Sequence, residues 1–86
     1  MITEELLQEL GFVKTDVSPE EAGDGRGFYY YSLDFDGITL ITNSDDEASD
    51  SGSIEVYLFE SELNIKTKEL LVELVNVLNK VKKENE

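Results

Sequence analysis

The dipeptide Asp36-Gly37 stands between two apolar runs, Phe28 to Phe35 and Ile38 to Asn43. A two-residue hairpin turn that matches strand twist needs positive φ at both central positions, and Asp-Gly tolerates both. The turn sets the expected register: Phe35 opposite Ile38, Leu33 opposite Leu40, Tyr31 opposite Thr42. These pairs share one face, the more apolar one, which is expected to meet the core. The other face carries Phe28, Tyr30, Ser32 and Asp34 against Thr39, Ile41 and Asn43.

The rest of the chain is read around that hairpin. Thr3 suits a helix N-cap, with Glu4 and Glu5 in a first turn where the helix dipole favours negative charge. Leu6, Leu7 and Leu10 form an apolar stripe, Gly11 offers a left-handed residue at the helix end, and Phe12 can fold back on Leu7. Phe12 to Val17 reads as an edge strand. Ser18-Pro19-Glu20-Glu21 has the pattern of a capped single helical turn. Residues 23–27, Gly-Asp-Gly-Arg-Gly, read as a flexible loop. Residues 43–53 are polar and acidic with nothing to bury, so a mobile loop is expected there. Ile54 to Glu60 alternates, with Ile54, Val56 and Leu58 assigned inward and Glu55, Tyr57 and Phe59 outward. Thr67 caps a long last helix whose Leu70, Leu71, Leu74, Val75, Leu78 and Val81 recur at helical spacing. Its last residues, from Lys82 to Glu86, are expected to fray. The order α-β-β-β-β-α, with short connections, predicts a single α+β domain over residues 1–86. Its centre is an antiparallel four-stranded meander with the long C-terminal helix packed on one face.

Composition removes several function classes. The chain has no cysteine and no histidine. It therefore lacks a thiolate nucleophile, a disulfide, the commonest metal ligand and the usual general base near neutral pH. Asp34 and Asp36 flank a turn, with no nucleophile or oxyanion hole signalled beside them, so no enzyme and no cofactor is expected. No apolar run approaches the roughly 20 residues of a membrane span. Met1 to Glu5 lacks the basic start and apolar stretch of a signal peptide, so the expected location is cytoplasmic.

The net charge is −13 and unevenly placed. Residues 1–62 hold sixteen acids against Lys14 and Arg26, whereas residues 63–86 hold five lysines against four acids. An acidic body repels phosphate backbones and attracts basic protein surfaces, so direct nucleic-acid binding is disfavoured. Asp45, Asp46, Glu47 and Asp50 supply oxygens for calcium. They lack the alternating acids, central glycine and distal glutamate of an EF-hand, so a solvated acidic loop is the expectation and no metal is assigned. The glycines at 23, 25 and 27 lack the lysine and hydroxyl of a phosphate loop.

The strongest candidate surface is aromatic. Phe28, Tyr30, Tyr57 and Phe59 fall on the sheet face away from the long helix, with Ile41 among them. Either the N-terminal helix or the 18–27 segment covers this face, or it stands open as an interface rimmed by Asp34, Glu55 and Glu60. Two copies meeting face to face would bury it symmetrically, giving a homodimer.

The run from Gly27 to Phe35, the run from Ile38 to Ala48 and the opening Leu10-Gly11-Phe12-Val13-Lys14 resemble small uncharacterised acidic proteins of Bacteroidetes and their phages. The resemblance implies a bacterial or phage setting and carries no activity. The expected function is a non-enzymatic acidic module. It would bind a protein partner with a basic surface through Phe28, Tyr30, Tyr57 and Phe59 and through Asp45, Asp46, Glu47 and Asp50. The alternatives are a DNA-mimic inhibitor of a nucleic-acid-binding protein and a small structural or virion-associated oligomer.

Overall fold

Asp36 and Gly37 both take positive φ, 46° and 100°, and join strands β2 (Phe28–Phe35) and β3 (Ile38–Thr42). The structure is a computed structural model that describes residues 1–23 and 25–84. Asp24, in the glycine-rich segment expected to be flexible, and Asn85 and Glu86, expected to fray, lie outside the described residues. The hairpin register is the one the turn dictates: Phe35 pairs with Ile38 and Leu33 with Leu40, while the Tyr31 N–H donates to Thr42 Oγ1 at 2.9 Å.

The remaining elements are helix α1 (Glu4–Glu9), edge strand β1 (Val13–Val17) and the one-turn helix α2 (Pro19–Ala22) before the hairpin. After it come α3 (Asp45–Ser51), β4 (Val56–Leu58), β5 (Asn64–Ile65) and the long helix α4 (Lys68–Glu84). The sheet is a meander ordered β1-β2-β3-β4-β5, with every neighbouring pair antiparallel. It has five strands where four were expected. The chain reverses at Glu60, whose φ is +66°, and Ile65 and Asn64 then pair with Val56 and Tyr57. Two residues are too few for a period-two pattern to show. Strand β4 is also shorter than the expected Ile54 to Glu60. Its flanks continue along β3 through single bonds: Asn43 N–H to the Glu55 carbonyl at 3.1 Å and Phe59 N–H to the Thr39 carbonyl at 2.9 Å.

The segment expected to be a mobile acidic loop is a helix. At the start of α3, Ser44 Oγ accepts from the Glu47 N–H at 3.2 Å, and Glu47 Oε1 accepts from the Ser44 N–H at 3.3 Å. This reciprocal box satisfies donors that a helix start leaves orphaned. Gly52 ends the helix at φ +81°, and no side chain of α3 is buried. Capping and the dipole, with three acids in the first turn, form this helix where burial contributes little.

The core lies on the Tyr31–Leu40 side of the sheet. It joins Tyr31, Phe35, Leu40 and Val56 to Ile2, Leu6 and Leu7, to Phe12, and to Leu71 and Val75 of α4. Each such side chain contributes on the order of 1.5–3 kcal/mol before entropy is counted. Helix α1 is also tied to β2 through polar groups. The hydroxyls of Tyr29 and Tyr31 donate to the two carboxylate oxygens of Glu4 at 3.2 and 2.9 Å, and Gln8 Nε2 donates to Tyr31 Oη at 3.3 Å. Thr67 Oγ1 accepts from the Leu70 N–H at 3.3 Å, as a cap should. Two residues expected in the apolar face of α4, Leu70 and Val81, are exposed. The stripe facing the sheet is Leu71, Val75 and Leu78, flanked by half-buried Val72 and Leu74.

Candidate protein-binding face

Strand alternation and register assemble the outward face. Val13 pairs with Ser32, Ser32 with Ile41, Ile41 with Tyr57 and Tyr57 with Asn64, making one row across all five strands. The next rows hold Thr15 beside Tyr30 and Val17 beside Phe28. Phe59 follows the inward Leu58 and lies next to Thr39 through its backbone bond. Phe28, Tyr30, Tyr57 and Phe59 therefore share one side of the sheet, as expected, with Ile41 among them.

The two helices that supply core residues, α1 and α4, do so on the opposite side. That resolves one of the alternatives left open by the sequence: Leu6 and Leu7 enter the core, so the N-terminal helix does not cover the aromatic face. Phe28, Tyr30, Ile41 and Tyr57 are half-buried and take no part in the core cluster, and Phe28 shares a shallow cleft with Ser18 and Glu21 of the 18–27 segment. Phe59 is 61% exposed and Val13 is 65% exposed.

Strand β1 adds residues that the alternation of its own sequence could not place. Its charged residues point to the helix side, Lys14 opposite Tyr31 and Asp16 opposite Tyr29. Lys14 Nζ stands 4.2 Å from the centroid of the Tyr29 ring, a cation–π contact. Val13, Thr15 and Val17 consequently face outward. An edge strand ordinarily turns its apolar side to the core; here that side extends the aromatic face. The signal was present as Val-x-Thr-x-Val, but its direction required the pairing with β2.

The rim is charged and ordered. Tyr57 donates its hydroxyl to Glu55 Oε2 at 2.6 Å, and Lys66 Nζ lies 3.6 Å from Glu55 Oε1. The Tyr57 bond, aided by the Lys66 ammonium, holds the Glu55 carboxyl below the usual carboxylate range. The same bond, then burial, then the charges of Glu55 and Glu47, pushes the Tyr57 phenol up. On the outer face Thr39 Oγ1 donates to Asp34 at 3.2 Å.

The four acids predicted as a partner surface divide by role. Asp45 Oδ1 accepts from the Tyr29 N–H at 2.9 Å. Asp46 forms an ion pair with Arg26. Glu47 closes the capping box, and Asp50 is exposed. Three of the four thus hold α3 together or fasten it to the segment entering β2. Among the described residues no group of three or more acids is placed to hold a metal ion.

A cavity of about 490 Å³ opens on the other side, between α1, β2 and α3, lined by Ile2, Leu7, Tyr31, Asn43, Ala48 and Ile54 among others. Its size suits a small ligand. The polar groups beside it are already engaged: Glu4 by two tyrosines, Asn43 Nδ2 by the Ser53 carbonyl at 3.2 Å, and Asn43 Oδ1 by the Glu55 N–H at 3.1 Å. The space arises from contacts distant in sequence, so no local pattern signals it.

The chain matches no family model, no curated protein and no solved structure. Among the described residues no helix is long and apolar enough to cross a membrane.

Proposed function

We propose that the protein is a non-enzymatic binding module that docks another protein on its outward sheet face, in the cytoplasm of a bacterium and of bacterial or phage origin. The observation that carries this reading is the inversion of β1. It turns Lys14 and Asp16 toward the helices and adds Val13, Thr15 and Val17 to the face formed by Phe28, Tyr30, Ile41, Tyr57 and Phe59. A strand that spends its apolar residues away from its own core enlarges a patch of the kind that marks interfaces, where tyrosine and phenylalanine are favoured.

The partner's chemistry follows from the rim. Glu55 and Asp34 stand on the same side of the sheet as the patch, so an apolar centre flanked by lysine or arginine fits it. Imitation of a DNA phosphate array draws less support, because Asp45, Asp46 and Glu47 are committed to bonds within the fold.

The test is affinity capture from bacterial lysate with the wild type and with Phe59→Ser combined with Val13→Ser. Both side chains are exposed, so the fold is retained. Capture of a partner by the wild type and its loss in the double variant is the expected result. Equal capture by both, with circular dichroism unchanged, removes this face as the docking surface.

A further inference from the structure

Helix α4 carries a second apolar stripe, of which only Leu74 packs against the core. Leu71 and Val75 are fully buried against the sheet, with Leu78 beside them. Leu70, Leu74, Val77 and Val81 recur at alternating steps of four and three residues. At 3.6 residues per turn they form one line, about a quarter-turn from the buried stripe. Leu70, Val77 and Val81 are 55, 54 and 49% exposed, and Leu74 is half-buried between the two stripes. Residues 79–84 are all exposed, so the end of the helix projects from the sheet.

Alternating steps of three and four are the spacing of a coiled-coil seam. On the solvent side of this seam stand Glu73 and Lys80, both exposed. We propose that a second copy of the chain covers the stripe, with the two α4 helices antiparallel. That arrangement sets Leu70 against Val81 of the second copy and Leu74 against its Val77. It also places Glu73 of each helix beside Lys80 of the other, twice by two-fold symmetry. In a parallel pair the Glu73–Lys80 flank would instead meet the Leu71–Leu78 side of the other helix, which is already packed on its own sheet.

Charge favours this surface over the rest of the molecule. Residues 63–86 hold five lysines against four acids, whereas the remainder holds sixteen acids against two basic residues. Two such bodies repel least along α4. The antiparallel order also lays the projecting end, with Lys80, Lys82 and Lys83, toward the acidic body of the second copy. The seam is short beside the roughly 800 Å² per partner of a standard interface, so the dimer is weak and forms at high protein concentration. This pairing uses a surface distinct from the outward sheet face and does not depend on the function proposed for that face.

Sedimentation equilibrium at physiological ionic strength, up to millimolar protein, tests it. The wild type is expected to show a monomer–dimer equilibrium that Val77→Glu abolishes. Glu73→Lys and Lys80→Glu should each weaken self-association about tenfold or more. Mixed together, those two variants should form a heterodimer, because each then offers the charge the other lacks. Circular dichroism should match the wild type throughout, since all three sites face solvent. A wild type that stays monomeric, a dimer that survives Val77→Glu, or charge variants that fail to complement each other would each overturn the proposal. A dimer lost instead in Tyr57→Ser would move the contact to the sheet face and overturn it equally.

Discussion

The Tyr57 hydroxyl donates to a carboxylate oxygen of Glu55 at 2.6 Å, two positions back and just ahead of β4. Removing it with Tyr57→Phe should let the Glu55 carboxyl rise toward its ordinary value, since that bond is the largest cause of its lowering. The sign for stability follows. A carboxyl lowered by folding adds stability above its unfolded value and loses it as pH falls through the lowered folded value. Tyr57→Phe should therefore flatten the acid limb of a plot of urea midpoint against pH. Carbon-detected titration of Glu55 reads the shift directly, and an unmoved titration would show that the bond is not populated in solution.

Ser44 is the residue on which α3 depends. Ser44→Ala removes the acceptor of the Glu47 N–H and half of the capping box, at a cost of about 1 kcal/mol. Because α3 buries no side chain, the loss should appear locally. Amide exchange across residues 45–51 should accelerate more than exchange in β2 or β3. Uniform acceleration across all three would contradict a locally supported helix.

Gly27 and Gly37 both hold positive φ, yet only one is sterically confined. A Cβ at Gly27 would lie 2.5 Å from the Val17 carbonyl oxygen and 3.1 Å from Pro19 N, whereas nothing lies within 4 Å of one at Gly37. Alanine at 37 should cost about 1–2 kcal/mol of left-handed strain. Alanine at 27 should cost clearly more, since backbone must move. Equal denaturation midpoints for the two variants would count against the close passage of residues 17–19 over Gly27.

Leu40 is fully buried at the centre of the sheet, opposite half-buried Leu33. Leu40→Ala should cost about 2–5 kcal/mol, the range for a core leucine truncation. Leu33→Ala should cost less. Reversal of that order in chemical denaturation would place the core elsewhere.

The hairpin was legible because a two-residue turn demands positive φ at both positions and Asp36-Gly37 accepts it, and register then follows by counting. The aromatic face came with it, since period two leaves each side chain only one alternative side. Helix α3 escapes a search for apolar periodicity, because its residues bury nothing. Its signature is in its ends: Ser44 with Glu47 three residues on, and Gly52 at the close. The doubled stripe of α4 reads in sequence as one broad face, since Leu70 and Leu71 are neighbours in the chain while pointing about 100° apart. The outward turn of Val13, Thr15 and Val17 depends on which strand β1 joins and at what offset, information held between segments rather than within one.

Helix α3 is fastened by its first turn, Asp45 to the Tyr29 N–H of β2 and Asp46 to Arg26 just before that strand, while Ser49 to Ser51 are all exposed. The far end of α3 is thus a natural insertion point. A foreign peptide spliced after Asp50 would be displayed at the end of the sheet without rearranging the leucines and valines beneath it.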